Sequence, residues 1–424
     1  MTFEHSNLEI SIDEASELFS GLLKYQSICI AVSGGRDSMS LLRLLERWKQ
    51  LNIDAPKIIA VSVNHALRKE SELECKLVKS WCNELEIEHH TLTWSGIKPQ
   101  TSVQQKAREA RYKLLLDFCN KNKTKALVVA HHLEDQVETF FMRLARGSGI
   151  DGLRSMQYCR VQSGVDIIRP LLNVQKNRLL VTLTNFGQKW IDDPSNLDDR
   201  YERVRIRKYI ENLNDIDIDS KNISKSINRL TRSQIALENI SSKVFNGITT
   251  IDHAGYISID IDKFLFCDEE IQLRVLQISL NTVSGNRYVS LNTLEKTIKR
   301  IHDLNFNITI SGCQILKNKR NILIFRENRN LPTIKVIPGE KIIWDNRFIV
   351  CLEKKESSVE LSAIGNYVIN SEFIKKTDLI NVPKKALLTL PAGFRDGKLV
   401  LLPNITNIYN SSKLNACFLY HYKH

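Results

Sequence analysis

Ser33-Gly34-Gly35-Arg36-Asp37-Ser38 gathers two adjacent glycines, a hydroxyl at each end and a carboxylate in one short run. The glycines let the backbone approach an anion with no Cβ in the way, and they tolerate positive φ. Backbone N–H groups at such a turn, followed by a helix N-terminus, suit a phosphate. Asp37 would repel a bare phosphate. It makes sense with Mg²⁺ between carboxylate and phosphate, since Mg²⁺ takes one or two carboxylates and fills its shell with phosphate oxygens. The G-x-x-x-x-G-K-[ST] pattern of a P-loop is absent, and with it the lysine that reaches the γ-phosphate. The bland alternative is a strand-to-helix turn that happens to use Gly-Gly.

The context favours the chemical reading. Ile28 to Val32 is an unbroken apolar run, and Leu41, Leu42, Leu45 and Trp48 fall at helical spacing after the turn. Strand, glycine-rich turn and helix is the arrangement that aims backbone donors at pyrophosphate.

Further constellations lie downstream. His131, Asp135 and Glu138 are spaced to share one helical face, just after the apolar run Ala126 to Ala130. Asp135 is a candidate for binding Mg²⁺ or orienting a nucleophile, with a helix cap or a solvated acidic face as the alternatives. Arg108 and Arg111 sit one turn apart beside Tyr112, suited to phosphate or carboxylate, or simply to a solvated face. Arg146 to Leu153 reads as a flexible loop that either closes over a substrate or is a long turn. Arg200, Arg203, Arg205 and Arg207, with Tyr201 among them, read as a surface for an RNA backbone or as an exposed basic helix.

The elements that must position these residues are legible as an alternation. Runs at Ile58–Val63, Ile87–Leu92, Ala126–Ala130 and near Asp166–Ile168 read as strands. Segments through Leu73, Leu77, Trp81 and Leu85, over Val103–Cys119 and over Leu133–Ala145 read as helices. Such alternation predicts an α/β fold with a parallel sheet covered on both faces, and ligands at the carboxyl ends of its strands. Ser33, Asn64 and His131 all fall at such ends. Polar residues at Asn212–Asn222 suggest a linker. Residues 223 to about 304 read as helical, with Leu230, Ile235, Leu237, Val275, Leu276, Leu294 and Ile298 as core positions. Short β-rich runs and turns then suggest a small β-rich or α+β domain. The expected division is 1–215, 216–305 and 306–424.

The chain has 424 residues and a net charge of +12, which often goes with a polyanionic partner. Its nine cysteines contain no C-x-x-C pair, so no zinc site or redox motif is expected, and reduced thiols in a cytoplasmic protein are. No apolar stretch approaches the length of a membrane span.

The six-residue motif resembles that of the N-type ATP pyrophosphatases, in which the loop grips the β- and γ-phosphates while a substrate oxygen is adenylated. Taken together the motifs resemble one family, the bacterial tRNA(Ile)-lysidine synthetases. The matching segments are Ser33–Ser38, Ser62–Arg68, Ala107–Tyr112, Ala130–Thr139, Arg146–Leu153, Arg169–Leu172 and Asp193–Asn196, over roughly residues 25 to 210. The family usually has Asn where this chain has Val204.

The resemblance implies a ligase that joins L-lysine to C2 of the wobble cytidine in the CAU-anticodon isoleucine tRNA. The cytidine is first adenylated, and AMP and pyrophosphate leave. The modification changes codon reading from AUG to AUA, and the tRNA's identity from methionine to isoleucine. It implies ATP as substrate with Mg²⁺ at Asp37 and Asp135, and no zinc or prosthetic group. Ser33, Gly34, Gly35, Arg36, Asp37 and Ser38 would bind ATP. Asp37, Asp135, His131 and Arg108 would serve catalysis, and Arg111, Arg203, Arg205 and Arg207 would contact tRNA. The two C-terminal domains would read the tRNA body, and the assembly is left open, a homodimer included. Rival readings are a tRNA-thiolating enzyme of the same fold, and a non-catalytic RNA-binding protein with ATP as ligand.

Overall fold

The computed structural model describes residues 8–66, 70–96, 98, 101, 103–192, 202–213, 219–287, 289–303, 306–365, 382–405 and 413–419. Arg68, Asp193–Asn196, Arg200, Tyr201 and the middle of the expected linker lie outside them. The chain divides into two compact units, Met1–Gln234 and Ile235–His424.

In the first unit, α1 (Ile12–Phe19) precedes β1 (Ser27–Ala31), and α2 (Arg36–Leu51) follows at once. Then come β2 (Lys57–Asn64), α3 (Glu70–Glu84), β3 (Glu88–Thr93), α4 (Val103–Lys121), β4 (Ala126–Val128) and α5 (Leu133–Leu144). The short α6 (Ile150–Leu153), β5 (Cys159–Gln162), β6 (Val165–Ile168), α7 (Lys176–Asn185) and α8 (Glu202–Leu213) complete it, together with the start of α9 (Ser220–Ile248). The sheet order is β3-β2-β1-β4-β6-β5, parallel except for β5, which pairs antiparallel with β6 at the edge. That antiparallel edge is an addition to the expected parallel sheet; its pattern is too polar to read as a strand.

Strand periodicity sorts the core into two layers. Ile28 and Ile30 face a cluster with α1, α2, α3 and α7, while Cys29 faces the other side with Leu115, Leu116 and Cys119 of α4. Leu41, Leu42, Leu45 and Trp48 are buried as their spacing predicts. α3 forms where expected and Trp81 is buried, but Leu73 and Leu77 are exposed, and Cys75, Val78 and Cys82 share the buried face with Trp81. Two leucines at i and i+4 do not reveal that rotation.

The segment read as wholly helical contains two strands. After α9 come β7 (Thr249–Ile251) and β8 (Ile257–Asp260), then α10 (Ile261–Leu265), α11 (Glu269–Ser284) and α12 (Leu291–Arg300). β9 (Asn307–Ile310), β10 (Cys313–Lys317) and β11 (Asn321–Arg326) join them in a sheet of order β7-β8-β11-β10-β9. Val275, Leu276, Leu294 and Ile298 are in the core against this sheet, but Ile235 is exposed. The remaining strands are β12 (Ile334–Val336), β13 (Lys341–Trp344), β14 (Phe348–Leu352), β15 (Val359–Ala363), β16 (Pro391–Arg395), β17 (Lys398–Leu401) and β18 (Leu414–Phe418), with α13 (Lys384–Leu387). They form two antiparallel sheets, β12-β15-β16-β17 and β13-β14-β18. No described helix is long and apolar enough to cross a membrane, and all nine cysteines are free thiols.

Candidate active site at the carboxyl ends of the parallel strands

The loop between β1 and α2 is held by its own hydroxyls. Ser38 Oγ donates to the Gly35 carbonyl at 2.9 Å and accepts from the Ser33 N–H at 3.2 Å. Ser33 Oγ lies 3.2 Å from Ser38 Oγ and 3.4 Å from the Gly35 N–H. Gly34 has φ of +83°, and a Cβ there would come within 2.7 Å of Ile191 Cδ1 and 2.9 Å of Val78 Cγ2. The turn therefore needs glycine twice over, for its backbone and for its packing. α2 begins at Arg36, so its N-terminal N–H groups and partial positive charge face the same mouth.

Two further strand ends close the site. Ser62 Oγ donates to the Val32 carbonyl at 2.8 Å and lies 2.9 Å from His89 Nε2, which ties β2 and β3 to the residue before the loop. Burial holds the His89 imidazole down at about 4, with His90 and Lys79 adding to the effect. The β4 end leads into α5, which begins at Leu133 and not at His131. The expected shared helical face therefore excludes His131. His132 takes the central place: its Nε2 lies 3.5 Å from Asp37 Oδ2 and 3.5 Å from Asp135 Oδ2, and its Nδ1 lies 2.9 Å from Glu134 Oε2. Asp135 also caps the helix, accepting from the His132 N–H at 3.1 Å. Burial alone would lower the His132 pKa, but Asp135, Asp37 and Glu134 together raise it to about 10. His132 is thus an imidazolium between two carboxylates at neutral pH.

His131 is its opposite. Burial, with Arg169, Arg108 and Arg203 nearby, lowers its pKa to about 3 against the pull of Asp135, and its buried Nδ1 has no hydrogen-bond partner. Asp135 is held below the usual carboxylate range: burial opposes this, and His132, His131 and Arg203 outweigh it. Glu138 is buried, and burial pushes its carboxyl up. Arg207 of α8 bonds Glu138 Oε1 at 2.7 Å, leaving Oε2 without a partner.

The arginines separate by environment. Arg203 lies close enough to act on His131, Asp135, Glu138 and Arg111. Arg108 and Arg111 flank the Tyr112 ring at 5.2 and 5.8 Å. Arg205 is exposed, and Val204, where the family usually has Asn, is buried. Arg36 is engaged by Asp192: its Nε and Nη2 each lie 2.9 Å from Asp192 Oδ1. The segment read as a flexible loop is tied down, with Arg143 donating to the Gly152 and Ser155 carbonyls and Arg146 paired with Glu202 at 2.6 Å. Sequence reasoning missed His132, the Glu138–Arg207 pair and Asp192; only the adjacency of two histidines before Glu-Asp hinted at the first.

Residues 6–213 match the family described as PP-loop domain. A tRNA(Ile)-lysidine synthase of Wolbachia pipientis wMel is 36% identical over 397 residues, covering 92% of this chain and 90% of the relative. The chain belongs to the tRNA(Ile)-lysidine synthase family. A second relative of that name, from Orientia tsutsugamushi (strain Boryong), is 30% identical over 424 residues, covering 94% of this chain and 93% of its own. Among solved structures, the U34-tRNA thiolase NcsA from Methanococcus maripaludis overlays 52% of this chain and 79% of its own, at 21% identity and a TM-score of 0.44. Among the described residues, no cluster of three or more His, Cys, Asp or Glu side chains is arranged to hold a metal by itself. Asp37 and Asp135 each bring one carboxylate oxygen to 3.5 Å of His132 Nε2.

Proposed function

We propose that this chain joins L-lysine to C2 of the wobble cytidine in the CAU-anticodon isoleucine tRNA, using ATP and releasing AMP and pyrophosphate. The observation that carries the reading is the meeting of Asp37, from the glycine-rich loop, with Asp135, from α5, at His132. It occurs at the carboxyl end of a parallel sheet, in a chain alignable with tRNA(Ile)-lysidine synthases over nine-tenths of its length.

In the first step the cytosine O2 attacks the α-phosphorus and pyrophosphate departs. The Ser33–Ser38 loop and the α2 N-terminus supply donors where charge builds on the leaving group. Two converging carboxylates fit Mg²⁺ completed by phosphate oxygens, so Asp37 and Asp135 would hold it, and it would neutralise charge on the phosphates. Arg108, Arg111 and Arg203 add positive charge for phosphate or tRNA backbone, with Arg205 on the exposed face of α8.

In the second step the lysine ε-amine attacks C2 and AMP departs. The ammonium must first lose a proton. Asp135, held ionised by its neighbours, is the carboxylate assigned to that ammonium, and His131 offers its unpartnered Nδ1 as an acceptor. Arg207 is better placed to orient Glu138 than to contact tRNA, since its guanidinium is committed to that carboxylate. A single cytosine pocket cannot distinguish tRNAs with the same anticodon, so residues 216–305 and 306–424 are assigned to reading the tRNA body. A cytoplasmic setting fits nine free thiols. Thiolation is disfavoured by the absence of any C-x-x-C pair.

The test is incubation with ATP, labelled lysine and a CAU-anticodon isoleucine tRNA. Label is expected at the wobble cytidine, with pyrophosphate release requiring tRNA and its multiple turnover requiring lysine as well. Pyrophosphate release without tRNA, sustained turnover without lysine, or label on a methionine tRNA would overturn the assignment.

A further inference from the structure

Residues Trp190–Asp192 lie across the outside of the phosphate-binding loop, and three contacts join them to it. The Ile191 N–H donates to the Gly34 carbonyl at 2.9 Å. The Ile191 side chain fills the space a Cβ on Gly34 would need. Arg36, the first residue of α2, places Nε and Nη2 on Asp192 Oδ1 at 2.9 Å, while its guanidinium lies 5.5 Å from the Trp190 ring centroid. Trp190 Nε1 in turn donates to Asp192 Oδ2 at 3.3 Å, so both oxygens of that carboxylate are engaged.

The geometry of one peptide group makes this more than packing. In a trans peptide the carbonyl and the following N–H point in opposite directions. The bond from Ile191 draws the Gly34 carbonyl towards the strap, so the Gly35 N–H of the same peptide points away from it, to the side where Ser33 Oγ lies at 3.4 Å. Glycines on both sides of that peptide leave it free to flip at little steric cost. The strap removes that freedom.

We propose that Trp190–Asp192 is the positioning element of the phosphate-binding loop: Ile191 sets the orientation of the Gly34–Gly35 peptide, and the Arg36–Asp192 pair holds the strap in place. Arg36 is then a strut between loop and strap and does not bind phosphate through its side chain. The proposal rests on the reading that this loop binds the phosphates of ATP.

The test combines calorimetric binding of an ATP analogue with a non-hydrolysable α–β bridge and steady-state kinetics at saturating lysine and tRNA. Asp192→Asn is expected to raise the KM for ATP and the analogue Kd two- to fivefold, the range for an exposed ion pair. It should leave kcat within twofold and the KM for lysine unchanged, and Asp192→Glu should recover most of the loss. Ile191→Pro, which removes the N–H, should cost tenfold or more. In a double-mutant cycle, Arg36→Gln should add nothing in the Asp192→Asn background. Full additivity would show that Arg36 reaches phosphate by itself and would overturn the strut. Unchanged ATP affinity in Asp192→Asn and Ile191→Pro would overturn the strap. No binding of the analogue by the unsubstituted chain would instead overturn the reading of the loop itself.

Discussion

Replacing His132 with glutamine removes a proton that the fold holds between carboxylates, and the loss has a pH signature of definite sign. His132 is 3% exposed, so solvent does not screen its interactions with Asp37, Asp135 and Glu134. Its pKa is raised from 6.5 to about 10. A group whose pKa is higher in the folded state stabilises fully below the unfolded pKa, and that contribution fades as pH rises through the folded one. At about 1.4 kcal/mol per unit, the whole contribution is on the order of 5 kcal/mol at pH 6, falling with a slope of about 1.4 kcal/mol per pH unit between pH 7 and pH 9.5. Urea unfolding at intervals from pH 6 to pH 10 measures this. Other groups titrate in both chains, so the useful quantity is the difference between wild type and His132→Gln. That difference should shrink by about 2–3 kcal/mol between pH 7.5 and 9.5. Parallel stability curves for the two chains across this window would refute a His132 charge held by Asp135, Asp37 and Glu134.

Asp135→Asn keeps the side-chain volume and a capping oxygen but removes the leading charge that holds the His132 proton, so it should destabilise by about 2–3 kcal/mol near neutral pH while lysidine formation falls at least about 100-fold; a rate assay on the folded fraction, alongside thermal unfolding, separates the two. Arg207→Ala leaves Glu138 buried with neither oxygen bonded. It should destabilise by about 3 kcal/mol, and more at pH 8 than at pH 6, because the freed carboxyl takes up a proton at the lower pH. In the second unit, Asp345 receives Arg326 Nε at 3.0 Å and Arg347 Nε at 2.6 Å, both guanidiniums being fully buried. Asp345→Asn should cost about 3–5 kcal/mol in urea unfolding, whereas loss of a solvent-screened surface pair such as Lys76–Glu72 should leave the unfolding midpoint almost unmoved.

Local chemistry by itself settled much of the catalytic unit. An apolar run followed by Gly-Gly and a leucine-rich helix can only be a strand, a tight turn and a helix, so β1, the phosphate loop and α2 were legible from Ile28 to Trp48. The same holds for the ends of β2 and β4 and for the placement of Asp37 and Asp135 near the mouth. What periodicity cannot carry is rotation, long-range pairing and charge. Leu73 and Leu77 satisfy a helical stripe as well as Val78 and Cys82 do, and only the sheet beneath α3 decides which set is buried. β7 and β8 are too short to announce themselves within a helical stretch; they exist because β11, some 65 residues on, pairs with β8. His131 and His132 are adjacent and identical in type, yet one is neutral and the other charged. That difference comes from their neighbours: Asp135, Asp37 and Glu134 gather at His132, Asp37 from nearly a hundred residues earlier in the chain, whereas Arg169, Arg108 and Arg203 crowd His131. Arg36 reads as a phosphate ligand by its place in the loop; the tertiary structure gives it Asp192, a partner no local spacing could name. The sequence determined which groups reach the site, and the fold determined which of them meet, because proximity across strands is what sets the charge each group carries.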